Sequence, residues 1–342
     1  MAEEKRKIPQ KLLTIILLAS LLGLFLLEIA FGPVQISISS ILKTFSNPSG
    51  NESDNVIIWY SRLPQALIAL LSGIGLALSG WLMQSLFRNP LASPSVLGIS
   101  SGASLGVALA ILSGSFIGIS SSTFIGDIGI AASAMIGAIL VLLLVIAVAA
   151  RMRDQVSLLI VGIMIGHFVS AIVSILQFKS NPEALRSYVL WGMGSFADAD
   201  YNKILVTTFI IACTLAITYF LRNTLNVLSL GDDYAQSLGV SVKKIRIILI
   251  LISGVLAGVI TAFCGPIAFI GLAVPHFTRI IFKSSDHRQL FFPLILIGAI
   301  TGLGCDFLSR MIEIPLNAVT SAIGAPVVIF IIVKNAKTKA YL

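Results

Sequence analysis

The sequence predicts an all-α, polytopic membrane protein of about ten transmembrane helices, with both termini on the cytoplasmic side. The chain is 57% hydrophobic and only 11% charged over 342 residues, too apolar for a soluble domain that buries one core. Apolar runs of roughly 20 residues recur from end to end, the length that crosses a bilayer with every backbone hydrogen bond closed inside a helix. Lys and Arg are unevenly shared among the segments between those runs, as the positive-inside rule requires. The strand alternation of an outer-membrane barrel is missing. The net charge of +8 comes with no basic stripe of interleaved aromatics, so nucleic acid is not an expected partner; the bilayer is.

The spans are expected at 11–31, 63–86, 95–113, 128–150, 156–178, 204–221, 245–263, 268–282, 290–310 and 317–333. The first reads as a retained span, since its apolar stretch is too long for a signal-peptide core and lacks a small-residue cleavage site. The eighth is short and carries Pro275, which reads as a broken helix. With the N-terminus inside, seventeen of the 23 basic residues fall on the inner segments. Only Lys43, Arg62, Lys179, Arg186, Lys203 and Arg310 fall outside. Two outer connections, 32–61 and 179–203, have room for short surface helices.

Glycines and small residues mark close helix approach: Gly73, Gly80 and Ser72 in the second span, and Gly98, Gly102 and Gly106, four apart, in the third. Cys213, Cys264 and Cys305 all lie in apolar runs at spacings unlike a metal or disulfide framework, and read as packing residues. The three histidines, His167, His276 and His287, are dispersed, and no Walker A loop or H-E-x-x-H pattern occurs. No catalytic residue, metal site or cofactor is expected, and the chain is not expected to be an enzyme. Glu28 and Asp306 are ionisable groups within apolar runs, which normally pair or face a bundle interior. Asp306 precedes Arg310 by one helical turn, so the two are expected to form an ion pair.

The chain is read as one transmembrane domain, 1–342, holding a cytoplasmic polar island at 228–246, LSLGDDYAQSLGVSVKKIR. Gly231 and Gly239 bracket Asp232 to Leu238, enough for two helical turns with acids at the start, where the helix dipole favours them. Lys243, Lys244 and Arg246 follow. Such an element is either an ordinary surface loop or a short rigid knob for a soluble partner. In GPIAFIGLAVPHFTR, Gly265 and Pro266 are expected to end the seventh span, and Gly271 with Pro275 to break the eighth. Irregular backbone at membrane depth is tolerated where it lines a cavity, so these residues are expected to border a pathway.

Five blocks in one order carry a family resemblance: RLPQALIALLSGIGLALSGWLMQSLFRNPLASPSVLGISSGASLG from Arg62, LGDDYAQSLGV from Leu230, GPIAFIGLAVPHFTR from Gly265, DHR at Asp286, and IPLNAVTSAIGAP from Ile314. The chain resembles the permease subunits of ATP-driven importers for iron siderophores, haem and cobalamin. The resemblance implies a ten-helix permease of the cytoplasmic membrane that pairs with a second copy or a close homologue. It further implies two separate ATP-binding cassette ATPase subunits and an extracytoplasmic substrate-binding protein.

By that resemblance Leu230, Gly231, Asp232, Asp233, Ala235, Leu238, Gly239 and Val240 dock into the ATPase. Arg62 and Arg310 meet acidic residues of the binding protein. The family's second outer arginine is Gln65 here, a departure for which Lys179 or Arg186 would compensate. The inner gate matches 154–157, including Gln155 and Val156, where DQVS replaces small hydroxyl residues. An iron chelate is expected as cargo on family breadth. The alternative class, an ion-coupled secondary transporter, would need a connected network of intramembrane carboxylates or histidines, and Glu28, His167 and Asp306 are the only material for one.

Overall fold

The computed structural model describes residues 10–46, 53–113, 127–152 and 155–339. Among them the ordered elements are all helical. In chain order they are α1 (Gln10–Ala30), α2 (Ile38–Ser46), α3 (Ser53–Ile57), α4 (Leu63–Phe87), α5 (Ile99–Leu112), α6 (Asp127–Ala149), α7 (Gln155–Lys179), α8 (Pro182–Gly192), α9 (Tyr201–Ser229), α10 (Asp232–Ser237), α11 (Val242–Cys264), α12 (Ile270–Phe282), α13 (His287–Ile312) and α14 (Leu316–Lys339). Each expected span has its helix. Among the described residues seven helices are long and apolar enough to cross a membrane, and α5, α12 and the apolar part of α14 are shorter. α2 and α8 are the short helices expected in the two outer connections.

α4 is the axis of the bundle, buried along nearly its whole length. Lipid tails are as apolar as leucine, so helices associate in a membrane by close backbone contact and shared hydrogen bonds. Both operate on α4. A Cβ on Gly73 would overlap the carbonyl oxygen of Gly298 in α13, and one on Gly80 would overlap the carbonyl of Gly271 in α12. Ser79 and Ser253 of α11 lie with their hydroxyls 2.6 Å apart, and the Ser79 hydroxyl also reaches the Ser253 carbonyl at 2.8 Å. α5 and α6 meet through Gly102, Gly106 and Gly137 in the same way. Gly98 serves another purpose: at φ 76° it ends a 3-10 turn, Pro94–Leu97, that precedes α5, so the third span starts later than expected. Gly80→Leu is expected to separate α4 from α12, lowering the thermal midpoint of the purified protein and its yield in the membrane fraction by an overpacking cost of about 1–3 kcal/mol or more; an unchanged midpoint would contradict this packing.

The eighth span is not broken at Pro275. α12 runs through that residue, and the irregular backbone lies before it, at 265–269. The missing N–H of Pro275 releases the Gly271 carbonyl, which nestles against Gly80, while the Leu272 carbonyl accepts from the Gln84 side chain at 3.1 Å. α4 thus makes room for the freed carbonyl and places a donor on its neighbour. α12 has 13 residues and is therefore about 20 Å long against a hydrocarbon core of about 30 Å. The preceding segment must enter the bilayer, and polar groups in and beside it find partners within the protein. The Cys264 carbonyl accepts from Ser195 N at 2.9 Å, Ala268 N donates to Asn317 Oδ1 at 3.1 Å, and Asn317 N donates to the Met193 carbonyl at 3.1 Å.

Candidate functional site

α9 continues to Ser229, beyond the expected end at 221, because Leu225 and Leu228 are buried. Gly231 then turns the chain at φ 126°, α10 follows, and Gly239 turns it again at φ 80° into α11. Both φ values are in the half of backbone space that favours glycine, which is the physical reason those two positions bracket the knob. The Ala235 side chain is buried under it, and Val240 N closes the turn on the Ala235 carbonyl at 3.0 Å.

Asp232 fastens the knob to the bundle. Its carboxylate pairs with Arg88, just past α4, at 2.6 Å and with Arg246 of α11 at 3.2 Å. Arg246 also donates to the Met152 carbonyl, beyond the end of α6, at 3.0 Å. Two distant chain segments therefore converge on one carboxylate, and a third joins them through Arg246. Sequence reasoning misses Arg88 in this role, since nothing local to it announces a partner so distant in the chain. The outer surface of the knob carries Leu230, Tyr234 and Leu238, exposed at 66%, 52% and 56%. Tyr234 and Leu238 are four apart and share a face. Lys243 and Lys244 stand exposed beside them. A rigid, pinned element showing three large apolar side chains to solvent has the form of a docking surface.

A second junction lies one turn before the knob. Asn226 Oδ1 accepts from His287 N at 2.8 Å and lies 2.7 Å from His287 Nδ1, and Asn226 Nδ2 donates to Asp286 Oδ1 at 2.6 Å. His287 Nε2 is 2.8 Å from Ser85 Oγ, and its ring stacks on Trp81 with centroids 4.9 Å apart. Asp286 caps α13 through Arg288 N at 2.9 Å, and the Asn226 hydrogen bond, with that cap, holds its carboxyl below the usual range. The DHR block thus ties the end of α9 to α4 and α13. Only DHR itself is legible as a motif.

At the opposite end the two arginines expected to meet a partner turn inward. Arg62 is 3% exposed, and its guanidinium donates to the Ile29 carbonyl at 2.7 Å, to the Ala30 carbonyl at 2.9 Å and to the Val34 carbonyl. The last carbonyls of a helix lack intrahelical donors, and Arg62 supplies them to α1. Arg310 pairs with Glu28 of α1 and, at 3.3 Å, with Asp306. Gln65 Nε2 donates to the other Asp306 oxygen at 2.9 Å, so the departure from the family's second arginine completes this buried cluster. The expected Asp306–Arg310 pair is present, and Glu28 joins it. Lys179 and Arg186, the compensating candidates, are exposed.

The pathway candidates separate. Gly265 borders a cavity of about 330 Å³ lined by Trp191, Asp198, Lys203 and Phe263, and Gly271 borders a smaller one of about 140 Å³ with Leu76, Pro94 and Phe269. Pro266 is half-buried between them, and Pro275 is packing inside α12. Gln155 and Val156 open α7, with Val156 63% exposed; Asp154 lies outside the described residues. Among the described residues no group of three His, Cys, Asp or Glu side chains is placed to hold a metal ion.

Comparison with known families decides what this bundle is, because the model of one transport family matches residues 17–334. The chain belongs to the FecCD transport family. Within that family's range of relatives it is 34% identical to the hemin transport system permease protein HmuU of Yersinia pestis over 330 residues, 95% of this chain and 97% of the relative. It is 35% identical to the vitamin B12 import system permease protein BtuC of Klebsiella pneumoniae over 286 residues, 82% of this chain and 83% of the relative. Among solved structures, a metal-chelate type ABC transporter in an inward-facing conformation superposes with a TM-score of 0.80 at 30% identity, covering 95% of this chain and 99% of that one. PsaBC from Streptococcus pneumoniae shares the fold at a TM-score of 0.53 and 14% identity. This FecCD member is a multi-pass permease of the cytoplasmic membrane.

Proposed function

We propose that this chain is the membrane-spanning half of an ATP-driven importer that carries a metal chelate, either an iron siderophore, haem or cobalamin, into the cytoplasm. A second permease copy or a close homologue completes the pathway, two ATPase subunits bind the inner face, and a binding protein delivers cargo outside. The observation that carries this reading is the knob: Leu230, Gly231, Asp232, Asp233, Ala235, Leu238, Gly239 and Val240 make up a short helix and its two flanking turns, pinned by Asp232, with exposed apolar side chains at the inner end of a permease. Because Arg88 and Arg246 clamp it to α4 and α11, a displacement of the knob by nucleotide-driven movement of a bound ATPase passes directly into the bundle. In this reading Gln155 and Val156, which open α7, are the gate that such a movement opens. The competing ion-coupled mechanism lacks support, since Glu28 and Asp306 are both engaged by Arg310 rather than by one another in a relay.

The test is uptake by proteoliposomes that hold the permease with its ATPase subunits. Accumulation of a ferric chelate, haem or cobalamin that requires ATP hydrolysis supports the reading, and accumulation driven by an ion gradient without the ATPase would overturn it.

For the binding protein, the exposed basic residues at the outer end reach further out than Arg62, which is buried, and Arg310, which is part-buried. Lys179 and Arg186 take this role, and rim charges of this type set encounter rate and orientation. Arg186→Glu is expected to raise the dissociation constant of the binding protein several-fold at low ionic strength, with the difference shrinking as salt screens it. Equal affinities for the two forms at low salt would remove Arg186 from the contact.

A further inference from the structure

α1, α6, α7 and α9 each leave one long face uncovered, and three of those faces are alike. α1 presents Leu18, Leu22 and Leu26, α6 presents Ile136, Leu140 and Leu143, and α9 presents Leu205, Phe209 and Phe220. α9 also turns Thr207, Thr214 and Thr218 inward, where they are buried, and the hydroxyls left outside, Thr208 here and Ser20 on α1, stand singly. Apolar residues outside and hydroxyls inside are what lipid contact demands. α7 departs from this pattern.

The covered face of α7 carries Gly162, Gly166, Val169 and Val173, with Gly162 and Gly166 set against the 3-10 turn and the start of α5. Its uncovered side is divided lengthwise. One flank is apolar, with Ile160, Met164, Phe168 and Ile175 exposed. The other carries His167, Ser170, Ser174 and Gln177, whose alternating spacings of three and four residues stack them along one line of the helix. The first three are exposed and Gln177 is half-exposed. Ser174 Oγ donates to the Ser170 carbonyl at 3.0 Å, leaving its oxygen lone pairs outward.

His167 is the thirteenth residue of a 25-residue helix that is about 37 Å long, so the imidazole lies at the depth of the bilayer centre. The polar line rises from there toward the outer end of α7; the inner half of the same flank is Val156, Leu159 and Ile163. A polar line of this length at lipid depth is costly unless it borders water or protein.

We propose that this flank is a water-facing wall of the transport route in its outer half, and that His167, at the floor of that wall, is the group that meets the cargo. Neutral imidazole offers a lone pair that suits iron and cobalt. It can use that lone pair only on a metal with a free axial position, as in an iron porphyrin; a ferric ion already wrapped by six ligand atoms offers none. Ser170, Ser174 and Gln177 supply donors and acceptors for the cargo's polar edge and for bridging water. This inference rests on the importer reading and narrows its substrate class to planar macrocyclic chelates.

Two experiments test it. In proteoliposomes, Ser174→Cys should react with a membrane-impermeant maleimide applied from the outer side about tenfold faster than Phe209→Cys on the lipid-facing side of α9, over the baseline of the unsubstituted chain with its three native cysteines. Equal rates would place α7 against lipid and end the proposal. In the complex with its ATPase, ferric protoporphyrin should show the absorption shift of nitrogen ligation, absent from His167→Ala and His167→Gln. ATP-driven uptake of the porphyrin should fall about tenfold in both variants. A spectral shift and an uptake rate that ignore both substitutions would overturn the role of His167 while leaving the importer reading intact. ATP-independent uptake in the unsubstituted complex would overturn the importer reading, and this inference with it.

Discussion

Replacing Arg310 by Ala should lower the stability of the purified permease by about 3–5 kcal/mol, the usual cost of removing one partner from a buried ion pair. Glu28 is fully buried and Asp306 is 3% exposed, so the substitution would leave two carboxylates with no counter-ion in a region water does not reach. A graded denaturant or thermal melt in detergent, followed by far-UV circular dichroism, measures the loss. The charges rather than the shape should carry the effect. Arg310→Met combined with Glu28→Gln and Asp306→Asn is therefore expected to recover most of the lost stability, because an apolar or neutral replacement of a whole buried cluster is often neutral. A single Arg310→Ala variant that melts with the unsubstituted protein would show that the cluster does not hold α1 to α13.

The second large effect belongs to the inner face. Tyr234→Asp with Leu238→Asp should abolish ATP-driven uptake and cut co-purification of the ATPase by at least about tenfold, while the melt of the permease alone stays within about 0.5 kcal/mol of the unsubstituted value, as expected for exposed positions. Both residues are more than half exposed, so a charge there disturbs no internal packing. Asp232→Asn separates docking from transmission. It keeps the exposed apolar face but removes the charge that holds Arg88 and Arg246, and is expected to leave ATPase binding in place while uncoupling hydrolysis from uptake. Unaltered ATPase capture and uptake in the Tyr234/Leu238 variant would show that the knob is only a surface turn.

The helices are legible in the amino-acid sequence, because length and hydrophobicity of a run are sufficient where the solvent is lipid. The knob is legible through Gly231 and Gly239, whose backbone conformations other residues adopt at a cost. The Asp306–Arg310 pair is legible because its spacing is one helical turn.

Where sequence and structure part, the cause is shared. The resemblance assigns Arg62 and Arg310 to a binding protein, and nothing local announces that the orphan carbonyls at the end of α1 and the buried Glu28 engage them as well. Glu28 and Arg310 are 282 residues apart, and no local pattern connects them. Pro275 reads as a break because proline removes a donor, but Gly80 of α4 makes room for the freed Gly271 carbonyl, Gln84 donates to the adjacent Leu272 carbonyl, and the helix continues. The polar line on α7 is present in the spacing of His167, Ser170, Ser174 and Gln177. Its meaning depends on this side of α7 being uncovered and carrying four polar residues in line, while the uncovered sides of α1 and α9 show only single hydroxyls at Ser20 and Thr208.

By itself, then, the sequence determined a membrane-spanning bundle with a basic-residue bias between its two ends and a glycine-bounded knob at the basic end, since hydrophobic length, basic-residue placement and glycine's backbone freedom act within one segment of chain. Which polar groups meet was decided only by the tertiary structure: Arg88 and Arg246 on Asp232, Arg310 on Glu28, Asn226 on His287. In a medium that cannot solvate them, buried charges and donors must find one another, and those partners lie on helices that only folding brings together.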